Sequence, residues 1–130
     1  MAKNILIIDD DKLIAITLRR LLIREGYKVT TALSGKIALC KIEEGTFDLI
    51  MSDIKMPEMD GIETVKKIRE YLIQHNKNLI PEIFITAYAK EEIYQEALKL
   101  NAVGYLDKPF DIKTLQDTVR KIIEKPENHN

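Results

Sequence analysis

The chain has 130 residues, enough for one domain that buries roughly two-thirds of the surface its unfolded form exposes. Apolar residues make up 45% and charged residues 32%, a balance that fits a soluble globular protein and argues against disorder. With 20 basic and 21 acidic residues the formal net charge is −1, so bulk electrostatics give no push toward nucleic acid.

Cys40 is the one cysteine, which excludes an internal disulfide and a cysteine metal cluster and makes a reducing cytoplasm the simplest home. Met1-Ala2-Lys3-Asn4 leads into only four apolar residues before Asp9, too few for a signal peptide or a membrane span.

Ile5 to Ile8 reads as a first buried strand. The segment after it carries Ile14, Leu18, Leu21 and Leu22 at helical spacing and is ended by Gly26. Lys28 to Ala32 is β-branched enough for a second strand. Ser34 caps a helix with Ala38 and Ile42 inward, closed by Gly45. Phe47 to Ser52 is the third strand. Asp60 and Glu63 have the spacing of a capping box ahead of the stripe Ile62, Val65, Ile68 and Leu72. Gln74 to Leu79 reads as a loop and Ile83 to Thr86 as the fourth strand. A fourth helix is marked by Ile93, Ala97 and Leu100, and Val103 to Leu106 makes a short fifth strand. Asp111 then caps a last helix with Ile112, Leu115, Val119 and Ile122 inward. Strand and helix alternate five times without a repeat or internal linker, which predicts right-handed βαβ crossovers and a three-layer, doubly wound α/β sandwich over residues 1–124. Residues 125–130 read as a polar tail or the start of a linker.

The apolar runs end in reactive residues: Asp9 and Asp10 after the first, Asp53 after the third, Thr86 in the fourth and Lys108 just after the fifth. In an open parallel sheet all carboxyl ends lie on one edge, where ligands bind. The five side chains should therefore share one pocket. An acid after a strand is often only a helix cap, and Asp11 is assigned that task. A lone Thr is usually packing and a lone Lys usually solvated, but their shared edge weighs against both defaults. Clustered carboxylates call for a cation, and hard oxygen ligands favour Mg²⁺, Mn²⁺ or Ca²⁺. A hydroxyl and an ammonium opposite that site suit a phosphoryl group, and Lys108 can pair with Asp53 in its absence. Neither of the glycine-rich nucleotide loops is present. His75 and His129 read as surface residues, Cys40 as semi-buried packing, and Tyr88 and Tyr94 as the exposed side of the fourth helix region.

These residues resemble the receiver domains of bacterial two-component response regulators, CheY-like in fold, along essentially the whole chain. The resemblance rests on Ile7-Ile8-Asp9-Asp10, the run from Ser52 to Gly61, Ile85-Thr86-Ala87, and the run from Gly104 to Phe110. It implies a parallel five-stranded sheet of order 2-1-3-4-5 with its switch point between the first and third strands. It also implies roles. Asp53 would accept a phosphoryl group from a partner histidine. Asp10 would ligate Mg²⁺ (or Mn²⁺) directly, Asp9 mainly through a water, and Asp53 and the backbone carbonyl of Lys55 would complete the set. Lys108, Thr86 and Ala87 would serve the phosphoryl oxygens and the switch. Tyr105 would turn inward and remodel the face made by the fourth helix, fifth strand and fifth helix. The Lys108-Pro109 bond would be cis. Lys55 and Tyr88, at positions that vary within that family, are expected to slow loss of the phosphoryl group.

The implied partners are a histidine kinase or histidine phosphotransfer protein docking on the first helix and the Pro109 loop, and a downstream effector protein or domain. Dimerisation through the remodelled face is a further option. Direct nucleic-acid binding and membrane insertion are not expected. The resemblance implies a signalling switch that catalyses only its own phosphoryl transfer and dephosphorylation. Two other readings compete. A haloacid-dehalogenase-like phosphohydrolase would use Asp9 and Asp11, but would need a further acidic pair beyond Lys108. A phosphorylation-independent interaction module should have lost a pocket residue, and none is lost.

Overall fold

The computed structural model describes residues 2–87 and 92–124. Five strands, β1 (Asn4–Ile8), β2 (Lys28–Ala32), β3 (Leu49–Asp53), β4 (Glu82–Thr86) and β5 (Gly104–Asp107), alternate with five helices. These are α1 (Lys12–Arg24), α2 (Gly35–Glu44), α3 (Gly61–Gln74), α4 (Glu92–Leu98) and α5 (Ile112–Ile123). All strand pairs are parallel and the order is β2-β1-β3-β4-β5, as the resemblance implied.

Helices on both faces hide the sheet, so the central strands carry no polar alternation. β3 and β4 are buried at every residue. On one face Ile5, Ile7, Met51, Ile83 and Ile85 pack against Leu18 and Leu22 of α1 and Leu115 and Val119 of α5. On the other, Leu6, Ile8 and Ile50 meet Ala38 and Ile42 of α2 and Ile68 and Leu72 of α3. A third cluster joins Ile54, Ile62, Val65 and Phe84 to Ala97 of α4.

The expected caps form. Asp11 accepts from the amides of Leu13 and Ile14, Ser34 from Ile37, Asp60 from Glu63 and Asp111 from Thr114. These five hydrogen-bonded amides would otherwise be unsatisfied donors at the helix starts. Gly26, just beyond the α1 cap, takes a φ of 95°, the left-handed conformation that glycine adopts at no steric cost. The Glu63 carboxylate turns to Lys67, 3.7 Å away.

Several expectations need correction. β3 starts at Leu49 rather than Phe47, because Asp48 is occupied at the edge: its carboxylate accepts from the Asn4 amide at 2.8 Å. α3 runs through Gln74, and β5 is shifted by one residue to Gly104–Asp107. Cys40 is exposed, since it lies about 200° around α2 from the buried Ala38 and Ile42. Ile112 is 53% exposed because the first residue of α5 overhangs the end of the sheet. Tyr94 is half-buried, its ring edge-on to Tyr105 at 5.9 Å. Tyr88, His129 and the tail over 125–130 lie outside the described residues. Among the described residues, no helix is long and apolar enough to cross a membrane.

Candidate functional site

The parallel register brings the strand ends together. Ile8 lies opposite Ser52, Asp53 opposite Ile85, and Thr86 opposite Asp107. The residues that follow β1 and β5, and those that end β3 and β4, consequently share one edge. Asp9, Asp53 and Thr86 are buried there, while Asp10 is exposed at the mouth. One carboxylate oxygen from each of Asp9, Asp10 and Asp53 falls within 4.8 Å of the others.

Lys108 reaches the group from the far side. Its Nζ lies 3.1 Å from Asp9 Oδ2 and 3.4 Å from Asp53 Oδ2. Its amide donates to the Thr86 carbonyl at 2.7 Å, which fixes the root of the lysine beside the threonine. The Lys108-Pro109 bond is cis. The second Asp9 oxygen accepts from the Asp11 amide at 2.9 Å. Both Asp9 oxygens are thus engaged, and Asp10 is the acid left at the surface.

The charges are poorly balanced. Burial, followed by the Asp9 carboxylate, pushes the Asp53 carboxyl up from 3.8 to about 6, although Lys108 opposes the rise. Burial works against the Lys108 ammonium, yet Asp53 and Asp9 beside it leave its pKa raised overall. Asp9, Asp10 and Asp53 together with Lys108 carry excess negative charge, which a divalent cation would neutralise. The donors are hard carboxylate oxygens with one side open to water, and that donor set fits Mg²⁺.

A glycine seats α3 against this edge. The Gly61 amide donates to the Ile54 carbonyl at 2.7 Å, and a Cβ on Gly61 would overlap the backbone carbonyl of Asp53. The sequence showed Gly61 only as part of a motif, and the close approach supplies its reason. Lys55 and Ala87 are exposed beside the pocket. Tyr105 stands apart from the acids, half-buried between Phe84 and Tyr94, with its hydroxyl donating to the Ala97 carbonyl at 3.3 Å.

Sequence reasoning missed a buried ion pair at the opposite edge of the sheet. Glu82, 4% exposed, holds Arg69 of α3 through contacts of 2.9 Å and 2.7 Å. A glutamate opening the apolar run of β4 was the available signal. Next to the acidic pocket, α1 and the start of α5 enclose an apolar groove of about 600 Å³, whose lining includes Leu13, Leu21, Pro109, Phe110 and Ile112.

An open doubly wound sheet with an acidic, lysine-bearing pocket at its switch point is the frame of a metal-assisted phosphoryl site. The response regulator receiver domain family matches residues 5–120, and the chain belongs to that family. It is 42% identical over 120 residues to the transcriptional regulatory protein ZraR of Escherichia coli, a match covering 92% of this chain and 26% of that protein. The chain thus corresponds to about a quarter of the length of ZraR. It is 37% identical to sporulation initiation phosphotransferase F of Bacillus subtilis, over 98% of this chain and 99% of that one. Among solved structures it resembles the response regulator TrrA of Thermotoga maritima in complex with Mg²⁺-BeF, with a TM-score of 0.78 and 32% identity. That match covers 92% of this chain and 98% of that one. Receiver domains are signalling switches that bind Mg²⁺ at an acidic pocket.

Proposed function

We propose that Asp53 is the phosphoacceptor of this receiver domain. The observation that carries the reading is the convergence of Asp9, Asp10, Asp53 and Lys108 at one strand edge. An Asp53 oxygen attacks the phosphorus of a phosphohistidine on a partner protein, the P–N bond breaks, and the imidazole leaves as the acyl phosphate forms. A carboxylate is a poor nucleophile toward an anionic donor unless positive charge shields it. Lys108, already against Asp53, supplies part of that shielding. Mg²⁺ when bound supplies the rest by neutralising the acids and the phosphoryl oxygens. Asp10 and Asp53, with the Lys55 carbonyl, would hold the ion directly. Asp9, whose oxygens serve Lys108 and the Asp11 amide, would act through water.

Phosphorylation adds about −1.5 to −2 charges to the pocket, enough to bias a two-state element. Thr86 and Ala87 at the end of β4 respond to it, and Tyr105 carries the change to the face of α4, β5 and α5. Lys55, exposed beside the pocket, and Tyr88 slow dephosphorylation. Phosphoryl lifetime should therefore shorten in Lys55→Ala combined with Tyr88→Ala. The donor is a histidine kinase or a histidine phosphotransfer protein, docked along the groove of α1 and Pro109. The recipient is an effector protein or domain, or a second copy of this face. The chain works in the cytoplasm as a switch and turns over no metabolic substrate. Residues 1–124 form the domain, with 125–130 as its tail.

Exposure to Mg²⁺ and acetyl phosphate, followed by intact mass, tests the assignment. Wild type should gain one phosphoryl group and Asp53→Asn none. An adduct that persists in Asp53→Asn would overturn it. Steady turnover without an adduct would favour a hydrolase instead.

A further inference from the structure

The described part of α4 runs over Glu92–Leu98 and is held in place by tertiary contacts. Of its residues only Ala97 is buried. Ile93 and Tyr94 near its start pack against the third core cluster, and further attachments lie at its C-terminal end. The Tyr94 ring meets Tyr105 edge-on, the Tyr105 hydroxyl donates to the Ala97 carbonyl, and Arg69 Nη2 donates to the Leu100 carbonyl at 2.8 Å. Asn101 follows with a φ of 56°, ending the turn in the left-handed conformation.

The Arg69 contact differs in kind from the others. The guanidinium is a cation brought by α3 to the negative end of another helix. Glu82 grips the same guanidinium at two points, through Nε at 2.9 Å and Nη2 at 2.7 Å. The Glu82 carbonyl in turn accepts the Val103 amide at 2.9 Å. The turn between α4 and β5 is thereby tied to β4 through both the side chain and the backbone of Glu82. In this topology α4 runs against the strands, so its C-terminal end lies at the edge opposite the acidic pocket. Its N-terminal end at Glu92 lies on the pocket's side.

We propose that Arg69 is the pivot of α4, a positioning residue that pins the end of the helix far from the pocket and so turns a change at Thr86 into a tilt of the exposed face. This rests on the receiver reading above. Arg69 fixes the turn that closes α4, so a change reaching the helix from Thr86 is taken up by movement about that turn. The bidentate fork matters as well as the charge, since one guanidinium must serve Glu82 and Leu100 together.

The test uses Mg²⁺ with beryllofluoride as the phosphoryl probe, read by amide NMR and hydrogen exchange on the whole chain. In wild type, amides near Asp9, Asp53 and Lys108 and those over 92–105 should both shift. In Arg69→Met, the pocket shifts should persist while those over 92–105 fall to less than about half. Exchange should quicken about tenfold or more around 97–103 and not in β1 or β3. Arg69→Lys, which keeps the charge but not the fork, and Glu82→Gln, which keeps the shape, should fall between the two. They also serve if Arg69→Met fails to fold. Undiminished shifts over 92–105 in Arg69→Lys and Glu82→Gln, or faster exchange spread evenly over the sheet, would overturn the pivot. No pocket shift in wild type would instead remove the receiver reading beneath it.

Discussion

Replacing Asp53 by Asn should stabilise the metal-free protein. Asp53 is 6% exposed, and its carboxylate is repelled by Asp9 and opposed by Lys108 at 3.4 Å. Its pKa rises from 3.8 to about 6, with burial the first cause and Asp9 the second. That rise corresponds to at most about 3 kcal/mol, and screening by the open mouth of the site reduces it to about 1–2 kcal/mol. Asn keeps the shape and removes the charge. At neutral pH without metal, Asp53→Asn should therefore melt roughly 3–6 °C above wild type. The folded-state pKa lies above the unfolded one, so the favourable contribution of protonated Asp53 is complete below about pH 4 and lost as pH rises through about 6. The advantage of Asp53→Asn should accordingly shrink as pH falls across that window. Mg²⁺ should reverse the order, stabilising wild type by about 2.7 kcal/mol at one hundred times its dissociation constant and the variant by less. Thermal unfolding with and without Mg²⁺, over a series of pH values, reads all three effects. A variant no more stable than wild type at neutral pH, or an advantage that does not vary with pH, would refute the electrostatic reasoning.

Further measurements follow from other parts of the molecule. Gly61→Ala forces a methyl group against the Asp53 carbonyl and should cost about 1–3 kcal/mol in urea unfolding, with slower labelling by acetyl phosphate. Leu115→Ala, at a fully buried site between α5 and the sheet, should cost about 2–5 kcal/mol. Ile112→Ala, three residues earlier but 53% exposed, should stay within about 0.5 kcal/mol. Tyr27 is pushed from 10.0 to about 12 by burial and by its hydrogen bond to Glu124. Its protonated hydroxyl supports the fold below its ordinary range, and that support fades as pH rises through about 12. In a phenolate absorbance titration Tyr27 should ionise late, and that late step should vanish in Tyr27→Phe.

Much of this was legible from residue order alone. Apolar runs too short for helices, alternating with stripes at helical spacing, dictate a parallel sheet covered on both faces, because only burial on both sides removes the need for polar alternation. Caps such as Asp11, Ser34, Asp60 and Asp111 are likewise local. Each satisfies amides two or three residues away, so a short window contains the whole interaction. The family motifs added the strand order, and the shared strand edge the pairing of Lys108 with Asp53. Their spacing reflects distances closed by the fold.

Edges and partners were less legible. Ile112 follows the same spacing as Leu115 and Val119, yet it overhangs the sheet, because periodicity gives a direction around a helix and not the depth of what lies beneath it. Cys40 is exposed for the complementary reason, since it faces away from Ala38 and Ile42. Arg69 and Glu82 stand thirteen positions apart, and no local pattern marks them as a pair.

The sequence by itself determined the alternation of elements, their caps and the set of groups at the strand ends, because each depends on neighbours close along the chain or on the common direction of parallel strands. Only the tertiary structure decided that Asp9 is spent on Lys108, that Asp10 is left at the surface, and that Gly61 abuts Asp53. It alone decided that Arg69 joins α3, β4 and the end of α4. These are contacts between residues far apart in the chain, and their geometry exists only once the sheet has closed the distance between them.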